Sequence, residues 1–316
     1  MYYLGIDLGG TNIAAGLVDE NCKILGRAKI KTNTPRPAVE IIDDMAEAAR
    51  LAAKDAGVSL SDVRWVGVGS PGTVNKARGV IEYANNLGFV DVPMAQMLRD
   101  RLGLDCYLEN DANAAAYGEL VAGAGKGVSE FAAITLGTGV GGGVIANGKM
   151  INGFNFAGGE LGHMVIVYDG EQCTCGRKGC LEAYASATAL IRQTKAAMQA
   201  DAGSKMWELT GGSLDAVSGR TAFDAMRAGD AAGKAVVDQY IRYIGCGICN
   251  VINIFQPEVL CVGGGICNEG DTLMKPLCDY IDGQTYGVAQ EHKTRVCVAQ
   301  LGGDAGIIGA AFLGNL

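Results

Sequence analysis

Ile6-Asp7-Leu8-Gly9-Gly10-Thr11, echoed at Ile134-Thr135-Leu136-Gly137-Thr138-Gly139, decides how this chain folds. Each stretch is the end of a β-branched, apolar strand running into a glycine turn, and each turn leads into a second strand. Tyr2 to Asp7 is followed by Asn12 to Val18 and Ile24 to Lys31, and Ala132 to Leu136 by Gly141 to Ala146. One unit used twice implies two facing glycine turns. Consecutive backbone N–H groups in such turns bind phosphate oxygens, because no side chain blocks the approach. A lone turn of this kind is better explained as a plain hairpin; its repetition, each time with a threonine, points to phosphate. Neither turn matches the P-loop pattern, and no segment carries a dinucleotide fingerprint followed by a suitably spaced acid. Asp7, at the end of the first strand, either holds a magnesium ion or caps its own turn.

Outward from these turns the chain reads as α/β. Pro37 opens a helix over Ala38 to Ala56 that Gly57 closes. Val63 to Val68 and Asp105 to Leu108 read as strands, Ala112 to Val121 as an alanine-rich helix, and Leu181 to Ala200, Thr221 to Met226 and Ala231 to Ile254 as helices. A strand over Val259 to Val262 ends in Gly263-Gly264-Gly265, and a last strand near Arg295 to Ala299 precedes a helix over Ala305 to Leu313. With 316 residues, two lobes are expected: 1–117, with 303–316 packing back on it, and a larger lobe over 118–302. Hydrophobic residues at 49% against 19% charged suffice for packed cores. A net charge of −8 without a basic stripe argues against nucleic acid as a partner. No apolar run is long enough to span a bilayer and Met1 to Gly10 does not read as a signal peptide, so a cytoplasmic protein without a membrane partner is expected. The eleven cysteines then read as reduced thiols plus one metal cluster.

That cluster is His163 with Cys173, Cys175 and Cys180. Three thiols and an imidazole are the donor set of a closed, structural zinc site, and Gly170, Gly176 and Gly179 let so short a loop wrap round a metal. His292, in a polar stretch, is expected to face solvent. Glu160 and Glu182 flank the loop and either grip hydroxyls of a polyol or serve as surface and capping residues. Asp111 leaves a strand and enters a helix, which suits an N-cap. The cap is the first reading of the local sequence; a carboxylate so fixed is also what a general base needs to orient a hydroxyl. On the local sequence the positive helix end lowers its pKa.

Together these elements resemble the ROK family of bacterial sugar kinases and repressors, within the actin-like ATPase superfamily. The resemblance spans essentially the whole chain. It rests on Asp7-Leu8-Gly9-Gly10-Thr11, Glu109-Asn110-Asp111, the signature from Leu136 to Gly159-Glu160-Leu161-Gly162-His163, and Cys173-Thr174-Cys175-Gly176-Arg177-Lys178-Gly179-Cys180-Leu181-Glu182. Among its members the chain is most similar to the glucokinases, through Val74 to Leu87 with Gly79 and Asn85-Asn86-Leu87, and through Leu181 to Ser186. Phe89 departs from the tryptophan of many relatives, which predicts an altered edge of the sugar pocket. The resemblance implies a two-lobed actin-like (ribonuclease H-like) fold with an interlobe active-site cleft, and ATP-dependent phosphorylation of glucose at its 6-hydroxyl. It makes Asp111 the catalytic base and Asn86, Asn110, Glu160, His163 and Glu182 sugar ligands, with His163 also ligating zinc. Gly9, Gly10, Thr11, Gly137, Thr138 and Gly139 would cradle the ATP phosphates, Asp7 would serve magnesium, and Gly263, Gly264 and Gly265 would lie against the nucleotide. Relatives are commonly dimers or tetramers, so a homo-oligomer is expected.

Three other functions fit parts of this pattern. A kinase of an N-acetylhexosamine, mannose or fructose would use the same motifs. A sugar-responsive repressor of the same family carries a DNA-binding helix-turn-helix ahead of the body, for which the start of the phosphate motif at Asp7 leaves no room. A non-catalytic actin-like binding protein has no need of Asp111 beside a polyol-gripping zinc loop.

Overall fold

The computed structural model describes residues 1–287 and 291–316. In chain order, β1 (Tyr2–Leu8), β2 (Asn12–Asp19) and β3 (Ile24–Lys31) form a meander, followed by α1 (Ala38–Asp55) and β4 (Val63–Ser70). Next come the short strands β5 (Thr73–Asn75), β6 (Val80–Ala84) and β7 (Phe89–Val92), then α2 (Met94–Leu102), β8 (Asp105–Asn110) and α3 (Asp111–Ala122). A second meander, β9 (Phe131–Leu136), β10 (Val140–Ala146) and β11 (Lys149–Met150), leads through a long loop to α4 (Glu182–Ala185) and α5 (Ala187–Ala200). The rest is α6 (Met206–Leu209), α7 (Thr221–Arg227), α8 (Ala231–Phe255), β12 (Val259–Gly263), α9 (Asp271–Asp282), β13 (Arg295–Val298) and α10 (Ala305–Ala311).

The repeat seen in the glycine turns extends to whole sheets. One sheet has the order β3-β2-β1-β4-β8 and the other β11-β10-β9-β12-β13, so each is a meander extended by two later strands beside its first strand. In the first sheet β1 and β2 are antiparallel over their full length, while β4 and β8 run parallel to β1. In the second, β10 and β11 are antiparallel and β12 and β13 parallel. Parallel strands point their C-terminal ends the same way, and in α/β folds that edge carries the ligand-binding turns.

The chain divides into two compact units, one of Met1–Ala133, Gly142–Gly159 and Ala299–Leu316, the other of Ile134–Gly141 and Glu160–Val298. In the first, α1 turns a stripe of Ile41, Ile42, Met45, Ala49, Ala52 and Ala53 onto the sheet, the 3.6-residue period the sequence displayed. On the opposite face α10 packs on β1, β4 and α3. Glycines make this approach possible: a Cβ at Gly67 would lie 1.8 Å from the Ala310 carbonyl oxygen, and one at Gly309 1.7 Å from that of Ala114. Part of the glycine excess thus serves helix packing and not ligand turns. Glu119, 3% exposed on α3, accepts the N–H groups of Ala124, Gln300 and Leu301 at 2.9, 3.0 and 2.7 Å, which fixes the turn after α3 against the chain segment entering α10.

Three local expectations change. Val74 to Leu87, to which the sequence reading assigns no element, places seven of its fourteen residues in β5 and β6 of the sheet β5-β6-β7. Phe89 is buried in the first unit's core, so its departure from tryptophan alters core packing rather than an open pocket edge. The helix expected from Leu181 to Ala200 breaks at Ser186, whose Oγ accepts from the Ala189 N–H and starts α5 afresh. His292 is exposed, as expected.

Candidate active site and metal centre

In the first unit, Asp7 ends β1, and Asp111 opens α3 directly after β8, with β4 between the two strands. Asp7, Gly69 and Glu109 sit in one row across the sheet. Gly69 matters here: a Cβ would come within 3.0 Å of the Ala114 Cβ and 3.4 Å of the Asp111 Cα, so a side chain would push the start of α3 away. Gly306 likewise makes room for the Asp7 carboxylate, which lies 2.8 Å from where its Cβ would be. The N-cap of α3 is Asn110 rather than Asp111: its Oδ1 accepts from the N–H groups of Ala112 and Asn113, and its Nδ2 donates to the Gly72 carbonyl. Asp111 is thereby freed from capping, although its Oδ1 also accepts from the Ala112 N–H at 2.8 Å.

The pKa expected for Asp111 is also corrected. Burial raises it above the ordinary carboxylate value, and the hydrogen bonds from the Ala112 and Asp111 N–H groups offset this only in part. Asp7 is pushed up to about 6, chiefly by burial and then by the charge of Asp111. Two half-buried carboxylates at the same sheet edge suit a divalent cation, whose charge would relieve both. Without it, Asp7 holds its proton more tightly when folded than when unfolded. Its ionisation therefore erodes stability as pH rises from 3.8 through about 6, and the whole cost stands above that. By linkage this cost is about 3 kcal/mol. Asp7→Asn should therefore stabilise the nucleotide- and magnesium-free protein at pH 8 and hardly at pH 4, as read by urea unfolding. An equal effect at both pH values would contradict this assignment.

The first glycine turn is closed by the Gly9 N–H on the Asn12 carbonyl at 2.9 Å. Thr32 Oγ1 donates to the Gly9 carbonyl and Thr34 Oγ1 to that of Gly10, which pulls the carbonyls to one side of the turn. Asn86 is exposed beside it, its Nδ2 3.6 Å from where a Cβ of Gly10 would lie.

In the second unit, Gly137 and Thr138 are exposed, and the start of α5 anchors their turn from behind. The Ala187 N–H donates to the Gly137 carbonyl and Thr188 Oγ1 to that of Thr138. Gly264, with φ +103°, presses on the end of β9: a Cβ would be 2.1 Å from the Leu136 oxygen. The Gly263-Gly264-Gly265 turn thus adjoins the Gly137-Thr138-Gly139 turn. Beyond it opens a polar cavity of about 390 Å³ lined by Arg220, Asp224, Arg227, Gly265, Asn268 and Glu269.

His163, Cys173, Cys175 and Cys180 place their ligand atoms within 4.8 Å of one another. Cys173 Sγ is 3.7 Å from His163 Nδ1, and Cys175 Sγ 3.7 Å from Cys180 Sγ. Tetrahedral zinc with ordinary bond lengths requires edges of about 3.6–3.8 Å, so the donor set fits. The loop is a small hairpin with Gln172 opposite Lys178, seated on Ala183, Tyr184, Ile166, Val167 and Tyr243. Burial raises the Cys175 thiol, but hydrogen bonds from the Arg177 N–H and the other two thiols bring it below its ordinary value. Cys180 is pushed up to about 12 by burial and its thiol neighbours.

Glu182 joins the metal loop to the second glycine turn. Its Oε1 accepts from Thr174 Oγ1 at 2.8 Å and its Oε2 from the Val140 N–H at 3.0 Å. Gly139 leaves room for this, since a Cβ would stand 2.4 Å from Glu182 Oε2 and push that carboxylate aside. The turn Leu161–His163 packs on the same residue, with a Gly162 Cβ position 2.0 Å from the Val140 oxygen. Glu182 and the turn that carries His163 thus meet at Val140, with Glu160 immediately before that turn. Sequence reasoning missed Thr174, Thr188 and the buried set around Glu109. Thr174 lies inside the zinc motif, and Glu109 immediately precedes Asn110-Asp111.

The ROK family model matches residues 3–315. The chain belongs to the ROK family. It is 36% identical to a glucokinase of Halalkalibacterium halodurans over 99% of this chain and 94% of that one. It is 37% identical to a glucokinase of Thermotoga maritima, over 98% and 95%. Among solved structures it superposes with a TM-score of 0.82 and 37% identity on a ROK glucokinase from Streptomyces griseus in complex with glucose and AMPPNP, covering 99% of both chains. The expected family and the α/β, actin-like ATPase fold class are borne out.

Proposed function

We propose that the protein is a glucokinase that transfers the γ-phosphoryl group of ATP to the 6-hydroxyl of glucose, with Asp111 as the base. The observation that carries this is the half-buried Asp111 carboxylate, its pKa raised by desolvation, fixed at the start of α3 one strand away from Asp7 and its glycine turn. Glucokinase relatives at 36–37% identity over nearly the full length support glucose as acceptor.

Asp111 orients the acceptor hydroxyl and takes its proton as the oxygen–phosphorus bond forms and the bond from the γ-phosphorus to the bridging oxygen of ADP breaks. A pKa raised by burial makes it a better acceptor than an exposed aspartate, and the loose transition state demands alignment above early deprotonation. Gly10 and Thr11 of the first turn, and Thr138 and Gly139 of the second, would offer backbone N–H groups to the phosphates, with Gly9 and Gly137 shaping the turns, their own N–H groups spent on the Asn12 and Gly139 carbonyls. Asp7 would hold magnesium, which neutralises charge developing on the transferred group. Gly263, Gly264 and Gly265 would abut the nucleotide, with the Arg220–Glu269 cavity for its nucleoside. Asn86, Asn110, Glu160, His163 and Glu182 would bind the sugar, the last three set by the zinc loop. The eleven free cysteines support a reducing, cytoplasmic setting. Among the described residues no helix is long and apolar enough to cross a membrane. A homo-oligomer, dimer or tetramer, completes the proposal.

The substrate is tested by kcat/KM for glucose, mannose, fructose, N-acetylglucosamine and N-acetylmannosamine in an ADP-coupled assay. Glucose should lead. An N-acetylhexosamine ahead of glucose by tenfold would replace the substrate while leaving the reaction.

A further inference from the structure

Behind Asp111 lies a buried polar set to which the proposed reaction assigns no part. Glu109, the penultimate residue of β8, is 2% exposed. Its Oε1 accepts from the Asn110 N–H at 3.0 Å, Asn113 Nδ2 at 3.1 Å and Asn152 Nδ2 at 2.8 Å. Its Oε2 accepts from the same Asn152 Nδ2 at 2.9 Å and faces Lys76 Nζ at 3.4 Å. Lys76 Nζ also donates to Asn152 Oδ1 at 2.5 Å, closing a triangle of three side chains. Asn113 and Asn152 are themselves buried, 3% and 8% exposed.

Burying a carboxylate is costly unless it is paired and hydrogen-bonded, and both oxygens here are met by donors alone. The triangle ties together the chain just after β5, the end of β8 and the segment just after β11. What it grips on β8 is the Asn110 peptide, and the next residue is Asp111. Asn110 is therefore held twice, by its N–H on Glu109 and by its side chain capping α3.

We propose that Glu109 is a positioning residue for Asp111: locked by Lys76, Asn113 and Asn152, its carboxylate fixes the Asn110 peptide that sets where the Asp111 side chain stands. This rests on the reading of Asp111 as the base. Glu109→Gln keeps shape but turns one oxygen into an amide nitrogen. Whichever oxygen is replaced, the new N–H groups meet only donors, so the amide cannot reproduce the lock.

The test measures kcat, directly titrated glucose Kd and Tm for Glu109→Gln, Lys76→Met, Asp111→Asn and the double variant Glu109→Gln/Asp111→Asn. Glu109→Gln should lower kcat by about 10- to 100-fold, the scale of a misplaced catalytic group, with glucose Kd within about threefold. In the Asp111→Asn background the same change should cost less than about twofold, because no base is left to place. Lys76→Met, at a half-exposed position, should lower kcat several-fold in the same non-additive way and carries the comparison if Glu109→Gln does not fold. A kcat within twofold of the parent, or equal losses in both backgrounds, would overturn the proposal in favour of a merely structural role. Near-normal turnover of Asp111→Asn alone would instead remove the base itself, a failure distinct from that of the network.

Discussion

Asp111→Ala is expected to lower kcat by about a hundred- to ten-thousandfold while glucose Kd shifts by less than about threefold. The asymmetry follows from where the residue sits. Asp111 opens α3, and capping belongs to Asn110, so its loss neither uncaps the helix nor empties a core position. Removing the carboxylate withdraws the group that orients and deprotonates the hydroxyl, an interaction that strengthens as the transition state is approached. The raised pKa adds a pH signature: kcat of the parent should fall as the medium acidifies through the Asp111 pKa, which lies above the ordinary 3.8. The residual turnover of the alanine variant should lack that limb. A pH–rate profile with the same acid limb in both proteins would show that another group is the base.

The second large effect is expected from Cys175→Ala. Cys175 is exposed, so the substitution opens no cavity, and what it removes is a ligand. A structural zinc supplies folding energy to its own loop, and three remaining donors leave the closed tetrahedron incomplete. Metal analysis should find the variant without stoichiometric zinc, and its glucose Kd should weaken by about tenfold or more, in line with disruption of a metal shell. Because Glu182 bridges Thr174 and the Val140 N–H, the damage should reach the second glycine turn and raise KM for ATP as well. Full zinc occupancy in the variant would refute the ligand set. Lost zinc with an unchanged KM for ATP would refute only the bridge.

The features readable in the sequence were those whose chemistry is local. Two strand–glycine–strand motifs announced two sheets of like topology, since the turn needs its glycines within a few residues of the strand it ends. The zinc ligands were legible for the same reason, with three cysteines inside eight residues and His163 ten before the first. Longer-range effects escaped. The local helix end points the Asp111 pKa down, whereas burial, which depends on how α3 packs under β4, turns it up. Glu109 meets Lys76 and Asn152 across 33 and 43 residues, a separation no motif spans. The strands β5 to β7 are three to five residues long and interrupted by Gly79 and Asn85-Asn86, too short for a period-2 pattern to stand out. Ser186 was hidden inside a run of good helix formers although its hydroxyl is a cap.

The central claim, that Asp111 aligns the sugar alcohol for phosphoryl transfer, is tested most directly by a crystal of the protein with glucose and a non-hydrolysable ATP analogue. The account predicts an Asp111 carboxylate oxygen about 2.6–3.2 Å from the 6-hydroxyl oxygen, with that oxygen facing the γ-phosphorus. A carboxylate more than about 4 Å away, with a different side chain or none in its place, would contradict it.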